Sequence, residues 1–173
     1  SFRHYICLEK SAVEKPKVMK NRLDMRSIFR CMMEEGYYPT YEKTHILFNI
    51  DDNTAVVEYE EGVLSIRLFF SIEEEAYDLF LEASNATMTE TFMVKPAVLD
   101  DMKNIMFSCE ILCDTVKEFR KFFPIGVERL IEAVMMHKSE MKRLILAEKV
   151  SSAAISASED TYVMSSKGLK PLS

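Results

Sequence analysis

The apolar positions of this chain switch between a helical and a strand period several times. Met25, Ile28, Phe29 and Met32 recur at intervals of three and four, which lines one face of a helix. Pro16 suits the first turn of such a helix, where the leading N–H has no partner in any case. Gly36 is a natural C-cap, and Pro39 blocks continuation, so the pattern predicts a helix over residues 17–35. From Thr44 the period becomes two. Ile46, Phe48 and Ile50 then point to one side, and His45, Leu47 and Asn49 to the other. Asp51-Asp52-Asn53 turns the chain into a second strand over residues 54–59. Glu60-Glu61-Gly62 turns it back into a third over residues 63–70, with Leu64, Ile66, Leu68 and Phe70 on its apolar face. Connections this short make the neighbours antiparallel, because parallel pairs need a crossover of about a dozen residues or more.

Ser71-Ile72-Glu73-Glu74 reads as a capping box, predicting a second helix from Ser71 with Ile72, Ala76, Leu79, Phe80 and Ala83 buried and a stop near Asn85. Strand signal returns over residues 91–98, where Pro96 suits an edge. Leu99-Asp100-Asp101-Met102 reads as a turn, and a fifth strand follows over residues 104–112 with Ile105, Phe107, Cys109 and Ile111 on one side. Thr115-Val116-Lys117-Glu118 is another capping box, and Phe119, Phe122 and Phe123 give the helix behind it an aromatic inner surface. Pro124 lies inside that pattern and is expected to kink or break it. Val127, Leu130, Ile131, Val134, Met141 and Ile145 carry the stripe onward to Lys149. At the front, Tyr5, Ile6, Cys7 and Leu8 suit a short strand or a packing segment. The expected fold is α+β, in the order α-β-β-β-α-β-β-α, with a five-stranded antiparallel sheet packed against three main helices. Residues 1–149 form one domain, and residues 150–173 a Ser/Ala-rich tail that is mobile unless it docks.

With 173 residues and 48% hydrophobic content the chain can bury a core without disulfides. Its net charge of −6 argues against nucleic acid and against anionic membrane surfaces, since both are bound through Lys and Arg. No apolar run approaches a membrane helix. The first eight residues are too short and polar for a signal peptide, and the lack of an initiator methionine before Ser1 suggests a trimmed or a processed start, either of which could remove upstream targeting information. Cys7, Cys31, Cys109 and Cys113 have no metal-ligand spacing and fit reduced thiols in a cytoplasmic protein.

No catalytic or cofactor motif stands in the chain. His4, His45 and His137 share no motif with acids or cysteines, and each reads as a surface or boundary residue. The acidic runs are explained by turns and helix capping, and four dispersed glycines make no phosphate loop. Cys113 falls near a helix N-terminus, where a thiolate is stabilised, so a thiol- or acid-dependent enzyme is the alternative to a binding protein. Twelve methionines, among them Met32-Met33, Met93, Met106 and Met135-Met136, suit either irregular core filling or adaptable contact surface. The sheet is more specific. If Ile46, Val57, Ile66, Leu68 and Phe107 face the helices, the opposite face shows Leu47, Val56, Phe69, Met106 and Leu112 among Glu58, Ser65, Arg67, Ser108 and Glu110. A face of that mixed character suits a partner interface, unless another part of the chain covers it.

The element order, with Gly62-Val63-Leu64-Ser65-Ile66-Arg67-Leu68, the helix opening at Ser71 and Glu128-Arg129-Leu130-Ile131-Glu132-Ala133-Val134, resembles the YbjN-like proteins over residues 17–143. These are labelled bacterial sensory transduction regulators and share the fold of type III secretion chaperones. The resemblance implies a small acidic α+β domain, often dimeric, that binds protein segments and catalyses nothing. Pro124 and the Ser/Ala-rich tail depart from its pattern. The functional expectation is a non-enzymatic chaperone, adaptor or regulatory module without a cofactor. It would form a homodimer and hold a protein or peptide on Leu47, Val56, Phe69, Met106 and Leu112. A regulatory protein binding a small ligand is a further alternative, and that would require an apolar cavity.

Overall fold

Asp24 and Ser27 fix where the first helix begins. The Asp24 carboxylate accepts from the Ser27 amide at 2.7 Å, and the Ser27 hydroxyl accepts from the Asp24 amide at 2.9 Å. A computed structural model describes residues 22–166, and this reciprocal cap starts helix α1, Met25–Glu34, at the first residue of the apolar stripe and eight residues later than the start predicted after Pro16. Gly36, at φ +83°, closes it as expected. The helical start at Pro16 and the segment Tyr5, Ile6, Cys7 and Leu8 lie outside the described residues, as do His4, Cys7 and residues 167–173 of the tail.

The sheet has six strands, one more than the hydrophobic pattern predicts. β1 (Thr40–Glu42), β2 (His45–Ile50), β3 (Asn53–Glu60) and β4 (Val63–Ser71) form an antiparallel run, and β6 (Asn104–Leu112) and β5 (Val94–Val98) complete the order β1-β2-β3-β4-β6-β5. The additional strand β1 is exposed at every residue. It therefore lacks the apolar alternation that marks a strand in sequence. The turns carry the strain that their residues tolerate, with Asp51 at φ +51°, Glu61 at +49° and Gly62 at +85°. A Cβ on Gly62 would lie 2.8 Å from the Asp114 carboxylate, so this hairpin tip sits against the β6–α3 junction.

All three helices pack on one face of the sheet. Ile46, Val57, Ile66, Leu68 and Phe107 are buried there, as the alternation predicts. The second helix, α2, spans Tyr77–Glu90 after a 3₁₀ turn at Glu74–Ala76, and its N-cap Ala76 makes no side-chain bond. Ser71 does not open it, because Ser71 still pairs with Asn104 in the β4–β6 ladder, and Asn85 does not end it. The final helix, α3, spans Val116–Ser166 and begins at the predicted box. The Thr115 hydroxyl accepts from the Glu118 amide at 3.2 Å, while the Glu118 carboxylate accepts from the Asp114 and Thr115 amides at 2.9 and 3.0 Å. These bonds, that from Asp114 first, hold the Glu118 carboxyl below its usual range.

Pro124 neither breaks nor ends α3, and the helix runs past Lys149. Proline removes one backbone bond, but Phe119, Phe123, Leu130 and Ala133 on either side of it are wholly buried, and that packing outweighs the loss. Gly126 lets the same stretch lie close on the sheet. A Cβ there would stand 2.7 Å from Ile111 Cδ1 and 3.2 Å from Ile66 Cδ1.

Candidate functional site

Cross-strand register assembles the sequence-predicted contact residues on the sheet face away from the helices. Leu47 pairs with Val56, Val56 with Arg67, and Arg67 with Ser108, so one row crosses four strands. Phe69 pairs with Met106 in a second row. Leu112 lies apart, opposite Val63 at the end of the ladder, and is 81% exposed. Phe69 is exposed, while Leu47, Val56 and Met106 are half-buried. On the side of the first row away from Phe69 and Met106, the Arg67 guanidinium donates to the Glu58 carboxylate, and Lys95 reaches Glu110 at 3.5 Å. Ser65 and Ser108 are small enough to be buried beneath these longer neighbours. Arg67 Nε is buried with no partner among the described residues. The face is thus apolar at two places and self-neutralised beside them.

The helix side holds a feature the sequence reading did not anticipate. His137 is 3% exposed, not a surface or boundary residue. It stands between the rings of Phe80 and Phe107, with centroids at 5.4 and 5.3 Å. Its Nε2 lies 3.2 Å from the Ser84 hydroxyl, which donates to the Phe80 carbonyl at 2.7 Å. Burial pushes the imidazole below its ordinary range, so the ring is neutral near pH 7. Beside it an apolar cavity of about 310 Å³ opens between β4, β6, α2 and α3, bounded by Phe70, Phe80, Ile105, Val134 and Met141. Lys138 and Lys142 stand at this cavity, with Lys138 Nζ 6.0 Å from the Phe70 ring centre. The helical period contained the signal, since His137 follows Leu130 by seven residues and Val134 by three, both buried.

The other candidates are placed as follows. Cys113 is buried and its thiol is raised to about 11, first by burial and then by Glu118, the reverse of what an activated nucleophile needs. Burial likewise raises Cys109 to about 11. His45 lies 3.9 Å from Glu42 and far along the chain from His137. Among the described residues no three His, Cys, Asp or Glu side chains converge to hold a metal ion, and no helix is long and apolar enough to cross a membrane. Met32 is in the core, whereas Met88, Met93 and Met135 are exposed, as is Phe92 at 77%. Met93, expected within a strand, precedes β5 with φ +66°.

No family model and no curated protein matches this chain in sequence. Solved structures do match its fold. The crystal structure of YbjN from E. coli, a candidate transcription regulator, superposes with a TM-score of 0.58 at 10% identity, over 70% of this chain and 94% of that one. An uncharacterized protein from Methanothermobacter thermautotrophicus superposes with a TM-score of 0.52 at 14% identity, over 70% of this chain and 98% of that one. The β-meander, the crossover through α2 and the long closing helix make this a YbjN-like α+β fold.

Proposed function

We propose that this chain is a non-enzymatic adaptor or regulatory module that binds protein, in the first place a second copy of itself, on the outer face of its sheet. The observation that supports this most directly is the composition of that face. Leu47–Val56 and Phe69–Met106 offer apolar area next to an ion pair that Arg67 and Glu58 complete within one chain. Burying the apolar pairs against a partner is favourable by roughly 25 cal/mol per Å². Because Arg67 and Glu58 keep one another, closing the face strands no lone charge. The description of the E. coli protein of this fold as a candidate transcription regulator agrees with a regulatory role. A symmetric dimer would use the same patch twice.

Sedimentation equilibrium tests the reading. The protein should associate with rising concentration, and Phe69→Asp and Met106→Asp should each return it to monomer while leaving the circular dichroism spectrum unchanged. A wild-type monomer at every accessible concentration, with both substitutions inert, would remove the proposed face.

A further inference from the structure

On the opposite side of the sheet from Phe69 and Met106, and independently of any association there, the cavity beside His137 has the make-up of a ligand site. Its volume of about 310 Å³ falls at the lower end of the range of roughly 300–1,000 Å³ that small-molecule sites occupy. Its walls are supplied by four elements. Phe70 and Ile105 come from the ends of β4 and β6, Phe80 from α2, and Val134 and Met141 from α3. The wall is held in place from behind. Phe107 meets Phe70 edge-on at 5.8 Å and His137 edge-on at 5.3 Å, and Ser84 fixes the imidazole. A space bounded by rings so constrained cannot close by simple side-chain rotation.

Its charge is equally particular. The chain carries −6 overall, yet two lysines one helical turn apart, Lys138 and Lys142, are the charged groups that line this opening. Spacing of four residues places both on one face of α3. The nearby Arg143 is engaged by Glu140 at 2.8 Å, whereas neither Lys138 nor Lys142 has a carboxylate partner among the described residues. A ligand that uses the whole site therefore has an apolar body and one anionic end.

We infer that the cavity binds a small amphipathic carboxylate, with its hydrocarbon part among Phe70, Phe80, Ile105 and Met141 and its carboxylate at Lys138 and Lys142. A cationic amphiphile of the same length would set its charge against the two ammonium groups. A neutral one would leave them unused.

Titration calorimetry with octanoate, octanol and octylammonium, on the full chain at fixed ionic strength, tests this. Octanoate should bind saturably with one site per chain, more tightly than octanol, and octylammonium should bind weakest. Lys138→Glu combined with Lys142→Glu should weaken octanoate about tenfold while leaving octanol unchanged, since exposed ion pairs each contribute modestly. Both lysines are exposed, so this variant keeps its fold. Met141→Trp, which fills the apolar part, should weaken octanoate and octanol alike. Failure of octanoate to saturate, equal binding of the three probes, or indifference to the lysine reversal would each overturn the inference. Because Phe69 and Met106 lie on the other face, octanoate binding should persist in the Phe69→Asp protein, which separates this outcome from that of the association experiment.

Discussion

At the scale of single residues, His137 shows how a polar group is accommodated in this core. Two aromatic rings and one hydroxyl surround it, so the charged form loses its water without gaining an anion. The folded imidazole is therefore less basic than the reference value of 6.5. As pH falls through 6.5 the unfolded chain takes up the proton first. The contribution is thus fully present above that value, and stability declines as pH drops toward the lower folded pKa. Urea unfolding midpoints measured between neutral pH and about pH 5 should fall, and His137→Gln should flatten that slope. The carboxyls of Asp24, Asp101 and Glu118 are lowered by hydrogen bonds that each accepts, so their losses come at more acid pH and do not overlap this window. A slope that survives His137→Gln would assign the effect elsewhere. In sequence His137 reads as a surface or boundary residue because it shares no motif with acids or cysteines, although its spacing from Leu130 and Val134 places it on the buried stripe of α3. Its partners there, Phe80 and Phe107, lie thirty to fifty-seven residues away, so the stripe marks the burial but not the neighbours.

At the scale of elements, period and caps identified most of the structure, and they failed where two local signals competed. Thr115-Val116-Lys117-Glu118 caps α3 as read, because the single bridge that Thr115 makes to Arg22 leaves its hydroxyl free to accept from the Glu118 amide. Ser71-Ile72-Glu73-Glu74 has the same form, yet Ser71 belongs to the β4 ladder, and strand pairing overrides a cap. The start at Asp24 and Ser27 departs from the predicted one because Pro16 sets a first turn ahead of the apolar stripe, whose own first residue, Met25, is where α1 begins. Pro124 is the converse case, a breaker overridden by packing on both flanks. Since the proline still removes a backbone bond and crowds the carbonyl one turn back, Pro124→Ala should stabilise the fold by about 1–3 kcal/mol. A rise in the urea midpoint at unchanged m-value would show it. No rise would mean that the ring's own packing offsets the lost bond.

At the scale of the molecule, the alternation legible in sequence was enough to divide the sheet into a buried and an open face, with Ile46, Val57, Ile66, Leu68 and Phe107 all on the side predicted. The row formed by Leu47, Val56, Arg67 and Ser108 could be anticipated as a common face but not as neighbours, because β4 pairs with β6 only after the α2 crossover. The cavity was not legible at all. It depends on the distance that α2 and α3 keep from the ends of β4 and β6. One consequence of the charge balance applies to association as a whole. Two copies at −6 repel, and the proposed contact face is internally neutralised, so added salt should strengthen self-association. Sedimentation at low and high sodium chloride would show a falling dissociation constant. A rising one would indicate charge-complementary pairing instead.

The strand at one border of the sheet, β5, carries Pro96 opposite Phe107. With β6 as its one neighbour among the described residues, β5 has a gap at its middle residue in the outward row of amide donors. The other border, β1, offers only three residues. A visiting extended peptide would therefore find no continuous main-chain ladder to join on either side, and lateral stacking into fibrils is discouraged by the same two borders. Binding of a protein segment on the proposed sheet face would then be read out through side chains, which would make it sensitive to the identity of a partner's residues and not merely to an extended shape.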